Sequence, residues 1–255
     1  MKIIDFHTHY DCRWFDTVLM DEAQFLPGMD RLGVTIACCS TLMGFHEDCR
    51  RHNDLMAAKC WKRPDRLIPF ATVDPKLGRP AVEELDRCLS NPLFRGVKLH
   101  PVCQSFAPST VRETMIEILK CAARHGAPVM FHDGTPPYAS TFQIAAVARW
   151  VPEAAIVLSH GGLSDYVYSA GQLLRDLPNL YACYCAPRSG DLRWLVDAAG
   201  PDRVLFGSDF GAGTWKVLAE RIDSVMEAGL DPASMEKVLH GTAERLLHLQ
   251  ERPLK

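Results

Sequence analysis

The 255-residue sequence lacks the features that would place it among membrane or nucleic-acid-binding proteins. No run approaches the roughly 20 apolar residues that a membrane span needs, and a polar His-Thr-His motif interrupts the N-terminus before any stretch of signal-peptide length. The chain carries 28 basic and 31 acidic side chains, a net charge of -3, so it has no excess of positive charge to attract a phosphate backbone. We therefore expect a small-molecule substrate, and neither nucleic acid nor membrane, as its partner. A homo-oligomer is compatible with the sequence.

Cysteine pairs with metal-binding or redox spacing are also lacking. The ten cysteines include no C-x-x-C pair, so the sequence does not support a structural zinc knuckle. Several lie in segments with core-like composition: Cys38, Cys39, Cys88, Cys121 and Cys183. Because disulfide frameworks are typical of short secreted proteins, we expect reduced thiols and a cytoplasmic location.

Neither a Gly/Ser-rich linker nor a low-complexity stretch divides the chain. Short runs rich in β-branched and apolar residues alternate instead with stretches of helical periodicity. Eight strands are predicted, over residues 2–6, 34–40, 67–73, 95–100, 128–132, 154–160, 179–185 and 203–209. Most are nearly continuous apolar runs, which is typical of parallel strands that are covered on both faces.

Helices are predicted between these strands. The clearest begins at Thr110, where Thr110-Val111-Arg112-Glu113 matches a capping box, and it ends at Gly126. Others are predicted over 53–61, 80–89, 141–150, 172–177, 191–199 and 215–228, with an additional helix or helix pair over 233–249. The alternation predicts one α/β domain over residues 1–255, a (β/α)8 TIM barrel with an extra C-terminal helix. The alternative is a doubly wound open sheet, although no glycine-rich phosphate fingerprint follows the first strand.

Five of the ten histidines fall at predicted strand ends, which is where the active sites of barrels lie: His7, His9, His100, His132 and His160. Asp209 ends the last strand. Because alternate residues of an extended chain share a face, His7 and His9 can grip one cation. With His132 and Asp209 they provide three nitrogen ligands and one oxygen ligand, a set that suits zinc and admits manganese or iron. The alternative is a group of neutral, hydrogen-bonded core histidines.

Two further side chains are candidates for contact with a substrate. Lys98 precedes His100 by two residues on the same strand, and a lysine buried there must pair with a carboxylate, lose its proton or be modified. The alternative is a rim lysine whose ammonium reaches solvent. Arg188 is a candidate partner for a substrate carboxylate, or else an ordinary solvated arginine. The loops expected to decide the substrate contain Arg13, Trp14, Phe45, His46, Tyr138, Arg188 and Trp215.

Taken together, these motifs resemble those of the amidohydrolase superfamily, and within it the amidohydrolase 2 group that includes aminocarboxymuconate-semialdehyde decarboxylase. The matching segments run in family order from end to end: 4–9, 29–34, 68–75, 96–101, 158–162, 206–209 and 242–247. The resemblance implies that His7, His9, His132 and Asp209 bind one divalent metal ion. It also implies that His160 contacts the activated water, or that His160 and a carboxylated Lys98 bind a second ion.

The resemblance implies metal-dependent hydrolysis of an ester, lactone or amide bond in a small molecule. The metal would lower the pKa of its bound water from about 16 towards 7, Asp209 would carry the proton to the leaving group, and His160 and Lys98 would stabilise the oxyanion. His100 and Arg188 would bind the substrate. The alternative enzyme is a non-oxidative decarboxylase or hydratase of an unsaturated carboxylic acid, because relatives catalyse all three reactions.

Two other functions fit parts of the pattern. A catalytically inert metal-binding barrel would keep the ligands without turnover. TatD-type nucleases are barrels of similar size, but they place a glutamate on the fourth strand and lack an ending like Gly207-Ser208-Asp209.

Overall fold

The computed structural model describes residues 1–185 and 188–254. Eight parallel strands follow one another around a single sheet in chain order: β1 (Ile4–Thr8), β4 (Ile36–Cys39), β5 (Leu67–Ala71), β6 (Gly96–Leu99), β7 (Val129–Phe131), β8 (Ile156–Leu158), β9 (Leu180–Tyr184) and β10 (Val204–Phe206). These strands are buried almost throughout, because helices cover the outer face and side chains fill the interior. All eight predicted strands are confirmed, with each end within three residues of its predicted position.

The sheet curves until its first and last strands meet in a seam, so the predicted (β/α)8 barrel is confirmed. Just beyond β10 the Asp209 N–H donates to the His7 carbonyl at 2.9 Å, and the His9 N–H donates to the Phe210 carbonyl at 2.7 Å. Gly211 makes this approach possible: its φ is +106°, and a Cβ there would lie 1.8 Å from the His9 carbonyl oxygen. The seam places the carboxyl ends of the first and last strands side by side.

Helices surround the sheet in the described residues: α1 (Glu22–Leu32), α2 (Cys49–Cys60), α3 (Arg79–Leu89), α4 (Arg112–Arg124), α5 (Thr141–Ala148), α6 (Leu163–Asp176), α7 (Ser189–Ala199), α8 (Trp215–Met226), α9 (Pro232–Glu236) and α10 (Thr242–Leu246). The extra C-terminal segment packs under the barrel, where Ala243, Leu246 and Leu247 join the cluster of inward-facing strand residues. The opposite end of the barrel is therefore its open mouth. Among the described residues, no helix is long and apolar enough to span a membrane. All ten cysteines are free thiols.

The predicted capping box at Thr110 is wrong. Residues Pro108–Val111 form a 3-10 turn, and α4 begins only at Arg112. The Thr110 hydroxyl donates to the Ala107 carbonyl at 2.8 Å, so it closes this turn and does not cap the helix. The predicted end is confirmed, because Gly126 adopts the left-handed conformation just past the helix.

Two elements were not predicted. Helix α1 is capped by Asp21, whose carboxylate accepts the Gln24 N–H at 2.9 Å, but Pro27 and Gly28 inside the helix conceal its periodicity. A hairpin of β2 (Cys12–Trp14) and β3 (Thr17–Met20) follows β1. Its strands are too short and too exposed to show an apolar run.

Three predicted helices differ most from the structure. Helix α2 begins at Cys49, four residues before its predicted start at residue 53. Helix α6 begins nine residues before its predicted start at residue 172. The segment predicted over 233–249 consists of α9 and α10 joined by a π-helical turn at Lys237–Gly241. The π turn adds a residue to one helical turn and buries Val238 and Leu239, whereas α9 has no buried residue.

Candidate metal centre and active site

His7, His9 and Asp209 form a compact group at the barrel mouth. The two histidines lie at the end of β1, and Asp209 reaches them across the seam. Its Oδ1 lies 3.4 Å from His7 Nε2 and 3.2 Å from His9 Nε2. One ligand atom from each residue lies within 4.8 Å of the other two. The structure therefore brings together three of the four predicted metal ligands.

The second nitrogen of each imidazole is held by a backbone carbonyl. His7 Nδ1 lies 3.2 Å from the Ser159 oxygen, and His9 Nδ1 lies 3.3 Å from the Ser40 oxygen. Because a carbonyl can only accept, both Nδ1 atoms carry the proton and both Nε2 lone pairs face Asp209. Two lone pairs and a carboxylate so close together repel one another unless a cation lies between them. The group therefore fits a divalent metal ion.

The protonation states agree with this geometry. Burial lowers the pKa of His7 well below its usual value, and the nearby Lys98 ammonium lowers it further. Burial on its own would raise the pKa of Asp209, but its contacts with His7 and His9 outweigh burial and hold that pKa well below its usual range once a positive charge, a proton or a metal ion, lies among the three residues. A neutral imidazole and an ionised carboxylate are the forms that bind a metal.

Lys98 lies on β6 and points into the same space. Its side chain is completely buried, so the alternative of a solvated rim lysine is excluded. Lys98 Nζ lies 3.0 Å from His7 Nε2, and burial lowers the pKa of Lys98 to about 8. The ammonium is therefore beside the group, as the predicted catalytic role requires, although carboxylation of Lys98 stays a prediction.

His132 and His160 belong to a chain of hydrogen bonds on the other side of the mouth. Cys185 Sγ lies 2.9 Å from His160 Nδ1, His160 Nε2 lies 2.9 Å from His132 Nδ1, and His132 Nε2 lies 2.9 Å from Thr135 Oγ1. Both nitrogens of His132 are therefore engaged. His132 is not in the close group of His7, His9 and Asp209 among the described residues, so its role as a metal ligand stays a prediction.

His100 forms a flat wall beside this chain. Its ring stacks on His132 with centroids 3.9 Å apart and planes 10° apart, and Phe45 lies 5.3 Å from it on another side. Burial lowers the pKa of His100 to about 2, so the ring is neutral. Its predicted contact with a substrate is compatible with this position.

Arg188 lies at the start of α7. Its Nε is 2.8 Å from an Asp191 carboxylate oxygen, and 55% of the side chain is exposed. Residues 186 and 187 of the motif that singled out this arginine lie outside the described part. Its binding of a substrate carboxylate stays a prediction.

Asp5 was not predicted as a site residue, yet it supports His7 directly and Asp209 through the neighbouring Ser208. Its carboxyl accepts the His7 N–H at 3.2 Å, the Ser208 N–H at 3.0 Å and the Ser208 hydroxyl at 2.5 Å. Burial raises the pKa of Asp5 to about 7. A signal was present in the sequence, because Asp5, His7 and His9 are spaced two residues apart and would share one face of a regular strand.

Asp133 is a second supporting carboxylate that was not predicted. It accepts the backbone N–H groups of His160 and Gly162, each at 2.8 Å, and the Thr141 hydroxyl at 3.2 Å. Burial raises the pKa of Asp133 to about 6. The residue holds the loop after β8, and so the backbone of His160, against the end of β7.

A cavity of about 380 Å³ adjoins the mouth between α2 and the loop that follows β1. Tyr10 and Thr41 line it, and each directly follows a residue of the metal centre or of its carbonyl support. The cavity also contains Arg13, Arg51 and Lys59, of which Lys59 pairs with the Asp11 carboxylate. The lining also includes the acidic side chains Asp11, Asp16 and Glu47, so its charges balance, and its size suits a small polar molecule.

Sequence comparison finds one close local similarity. A stretch of 58 residues is 40% identical to gamma-resorcylate decarboxylase from Rhizobium sp. (strain MTP-10005). The match spans 23% of this chain and 18% of the length of that enzyme.

Structure comparison finds the same fold in several enzymes. The 2,6-dihydroxybenzoate decarboxylase from Rhizobium matches with a TM-score of 0.76 at 18% identity, over 98% of this chain and 99% of that one. The 4-oxalomesaconate hydratase from Rhodopseudomonas palustris matches with a TM-score of 0.74 at 19% identity, over 98% and 96%. A dihydroxybenzoic acid decarboxylase from Polaromonas sp. JS666, crystallised with manganese and the inhibitor 2-nitroresorcinol, matches with a TM-score of 0.74 at 17% identity, over 98% and 97%.

A family model gives the broadest match in sequence. The model described as amidohydrolase aligns with residues 4–249, which include every residue of the group at the mouth. The match covers nearly the whole barrel and agrees with the motifs found along the chain. The chain therefore belongs to the amidohydrolase family.

Proposed function

We propose that this protein is a divalent-metal-dependent, non-oxidative decarboxylase of a small hydroxy-substituted aromatic acid. The observation that carries the proposal is the convergence of two neutral imidazoles and one ionised carboxylate, His7, His9 and Asp209, at the barrel mouth. The named relatives are decarboxylases and a hydratase, which favours this reaction over the hydrolysis that the motifs alone put first. Their substrates supply the chemical class.

The metal would be held by His7, His9 and Asp209. The motifs also predict His132 as a ligand, a role that would require one of its hydrogen bonds, with His160 or with Thr135, to break. When bound there, a divalent ion supplies positive charge that stabilises the oxygen atoms of the substrate. Zinc is the ion that the ligand types suggest, and manganese is the ion present in two related decarboxylase structures.

Asp209 is the residue placed to move the proton. Its carboxylate is ionised at rest, so it takes the proton from the substrate hydroxyl and returns it to the ring carbon that bears the carboxylate. The bond between that carbon and the carboxylate then breaks, and carbon dioxide leaves. The phenolate product takes one proton from solvent, which balances the reaction.

The walls of the mouth suit a flat, anionic ring. The stacked imidazoles of His100 and His132, with Phe45 beside them, offer a surface for an aromatic ring. Arg188 is the residue that the motifs predict as the partner of the substrate carboxylate. Lys98 and His160 complete the polar lining close to Asp209.

The test is direct measurement of carbon dioxide. Protein reconstituted with zinc or with manganese is incubated with 2,6-dihydroxybenzoate, and carbon dioxide and resorcinol are quantified. We expect equal amounts of both products, and neither from chelator-treated protein. A parallel panel of esters, lactones and amides provides the comparison. If the protein cleaves an ester, lactone or amide and does not decarboxylate 2,6-dihydroxybenzoate, it is a hydrolase. If it only hydrates 4-oxalomesaconate, it is a hydratase.

A further inference from the structure

A second group of potential metal ligands overlaps the first. His7, His160 and Cys185 each place one ligand atom within 4.8 Å of the other two. All three residues are buried, with exposures of 1%, 6% and 5%. Cys185 directly follows β9, so its thiol reaches the mouth from a strand that contributes no ligand to the first group. Two imidazoles and a thiol are a typical partial set for zinc.

The two groups share His7, and only one nitrogen of this residue is available to bind a metal ion. His7 Nδ1 meets the Ser159 carbonyl and therefore keeps its proton. The single lone pair on Nε2 can bind one ion. The groups are therefore two alternative ligand sets for one ion bound by His7. One set adds the His9 imidazole and the Asp209 carboxylate, and the other adds the His160 imidazole and the Cys185 thiol.

The hydrogen bonds around His160 leave Cys185 in a suitable state. If the Cys185 thiol donates to His160 Nδ1, then His160 Nε2 donates to His132 Nδ1, and His132 Nε2 donates to Thr135 Oγ1. Every link then has one donor and one acceptor. Loss of the thiol proton leaves lone pairs on both Cys185 Sγ and His160 Nδ1 beside the ion, while His132 holds His160 in place.

We propose that Cys185 is a thiolate ligand of the ion bound by His7, and that it makes this centre select zinc over manganese. The inference rests on the proposed metal centre. A thiolate is a soft ligand that favours zinc, whereas manganese favours oxygen and imidazole ligands. As the bond between zinc and sulfur forms, the bond between sulfur and hydrogen breaks and the proton leaves to solvent. Cys185 thus distinguishes this centre from one built only from histidine and carboxylate.

Cobalt substitution tests the bond to sulfur without any activity assay. We expect the full-length protein with bound Co²⁺ to show a thiolate-to-cobalt charge-transfer band in the near ultraviolet. Cys185→Ser should lose this band and keep the weaker visible bands of cobalt bound by nitrogen and oxygen. The matched control is Cys103→Ser, since Cys103 Sγ also lies beside an imidazole, 3.5 Å from His100 Nε2, but belongs to neither group. This control should keep the band.

Zinc X-ray absorption on the unaltered protein needs no variant and should show one sulfur at about 2.3 Å. Competition titrations should show that Cys185→Ser weakens zinc binding by about tenfold or more, within the range seen for altered metal shells, and manganese binding by less than about threefold. If the protein binds cobalt without a charge-transfer band, and X-ray absorption shows no sulfur around zinc, then Cys185 is not a ligand. That result would leave the group of His7, His9 and Asp209 intact. If the unaltered protein binds neither ion, both this inference and the proposed function fail.

Discussion

Replacement of Gly211 by alanine tests whether the seam between β1 and β10 builds the metal centre. Gly211 lies two residues after Asp209 and against the backbone of His9. A Cβ at this position would lie 1.8 Å from the His9 carbonyl oxygen, far inside van der Waals contact. The loop must therefore move away from β1, and Asp209 Oδ1 must move away from His9 Nε2, from which it now lies 3.2 Å.

The expected decrease in the free energy of unfolding has two contributions. A φ of +106° is a conformation that alanine adopts only with about 1–3 kcal/mol of strain. Loss of the two seam hydrogen bonds, from the Asp209 and His9 N–H groups, adds about 1 kcal/mol each. Gly211→Ala should therefore lower the free energy of unfolding by about 3–5 kcal/mol. The displaced carboxylate should also weaken zinc binding by about tenfold or more.

Gly229→Ala is the matched control, since Gly229 has a φ of +65° and no atom within 4 Å of an added Cβ. This variant should lose only the backbone contribution, about 1–2 kcal/mol, and bind zinc normally. Urea unfolding of the metal-free proteins and zinc competition titrations measure both quantities. If Gly211→Ala loses no more stability than Gly229→Ala and binds zinc like the unaltered protein, the seam does not position the ligands.

Three further changes address the site. Asp209→Asn should reduce kcat by at least about 100-fold at equal metal occupancy with little change in substrate Kd, and an unchanged kcat would remove its proton-transfer role. His132→Ala should weaken zinc binding by about 10- to 100-fold while unfolding stays cooperative, and a larger loss would make His132 a direct ligand. Burial lowers the pKa of His160 from 6.5 to about 4, so the unfolded chain binds more protons between these pH values and stability falls as the pH drops through them. In metal-free His160→Asn, the free energy of unfolding measured with urea should fall by up to about 3 kcal/mol less over this pH range than in the unaltered protein. An equal fall in both proteins would show that His160 does not titrate in this way.

The fold was largely predictable because continuous apolar runs mark parallel strands that are covered on both faces. The failures lie where the contact that decides the structure is not visible in the hydrophobic pattern. Pro27 is tolerated inside α1 because Asp21 caps the helix and because Gly28 packs closely on Phe210. Thr110 closes a turn with Ala107 where a capping box was predicted. Neither arrangement is encoded in local periodicity.

The site was predictable in its members but less so in their arrangement. The rule that barrel sites lie at strand ends singled out His7, His9 and Asp209, and these three residues lie close together in the structure. It could not show which nitrogen of each histidine is free, because the carbonyls of Ser159 and Ser40 that decide this come from other strands. The chain of hydrogen bonds that engages both nitrogens of His132 is hidden from the sequence for the same reason.

The seam also has a consequence for protein synthesis. His7 and His9 leave the ribosome some two hundred residues before their carboxylate partner, Asp209. Over that interval a nascent chain carries only part of the proposed metal centre, and we expect tight capture of an ion only once β10 docks against β1. Metal uptake by the proposed centre would thus report that the last barrel strand has been added.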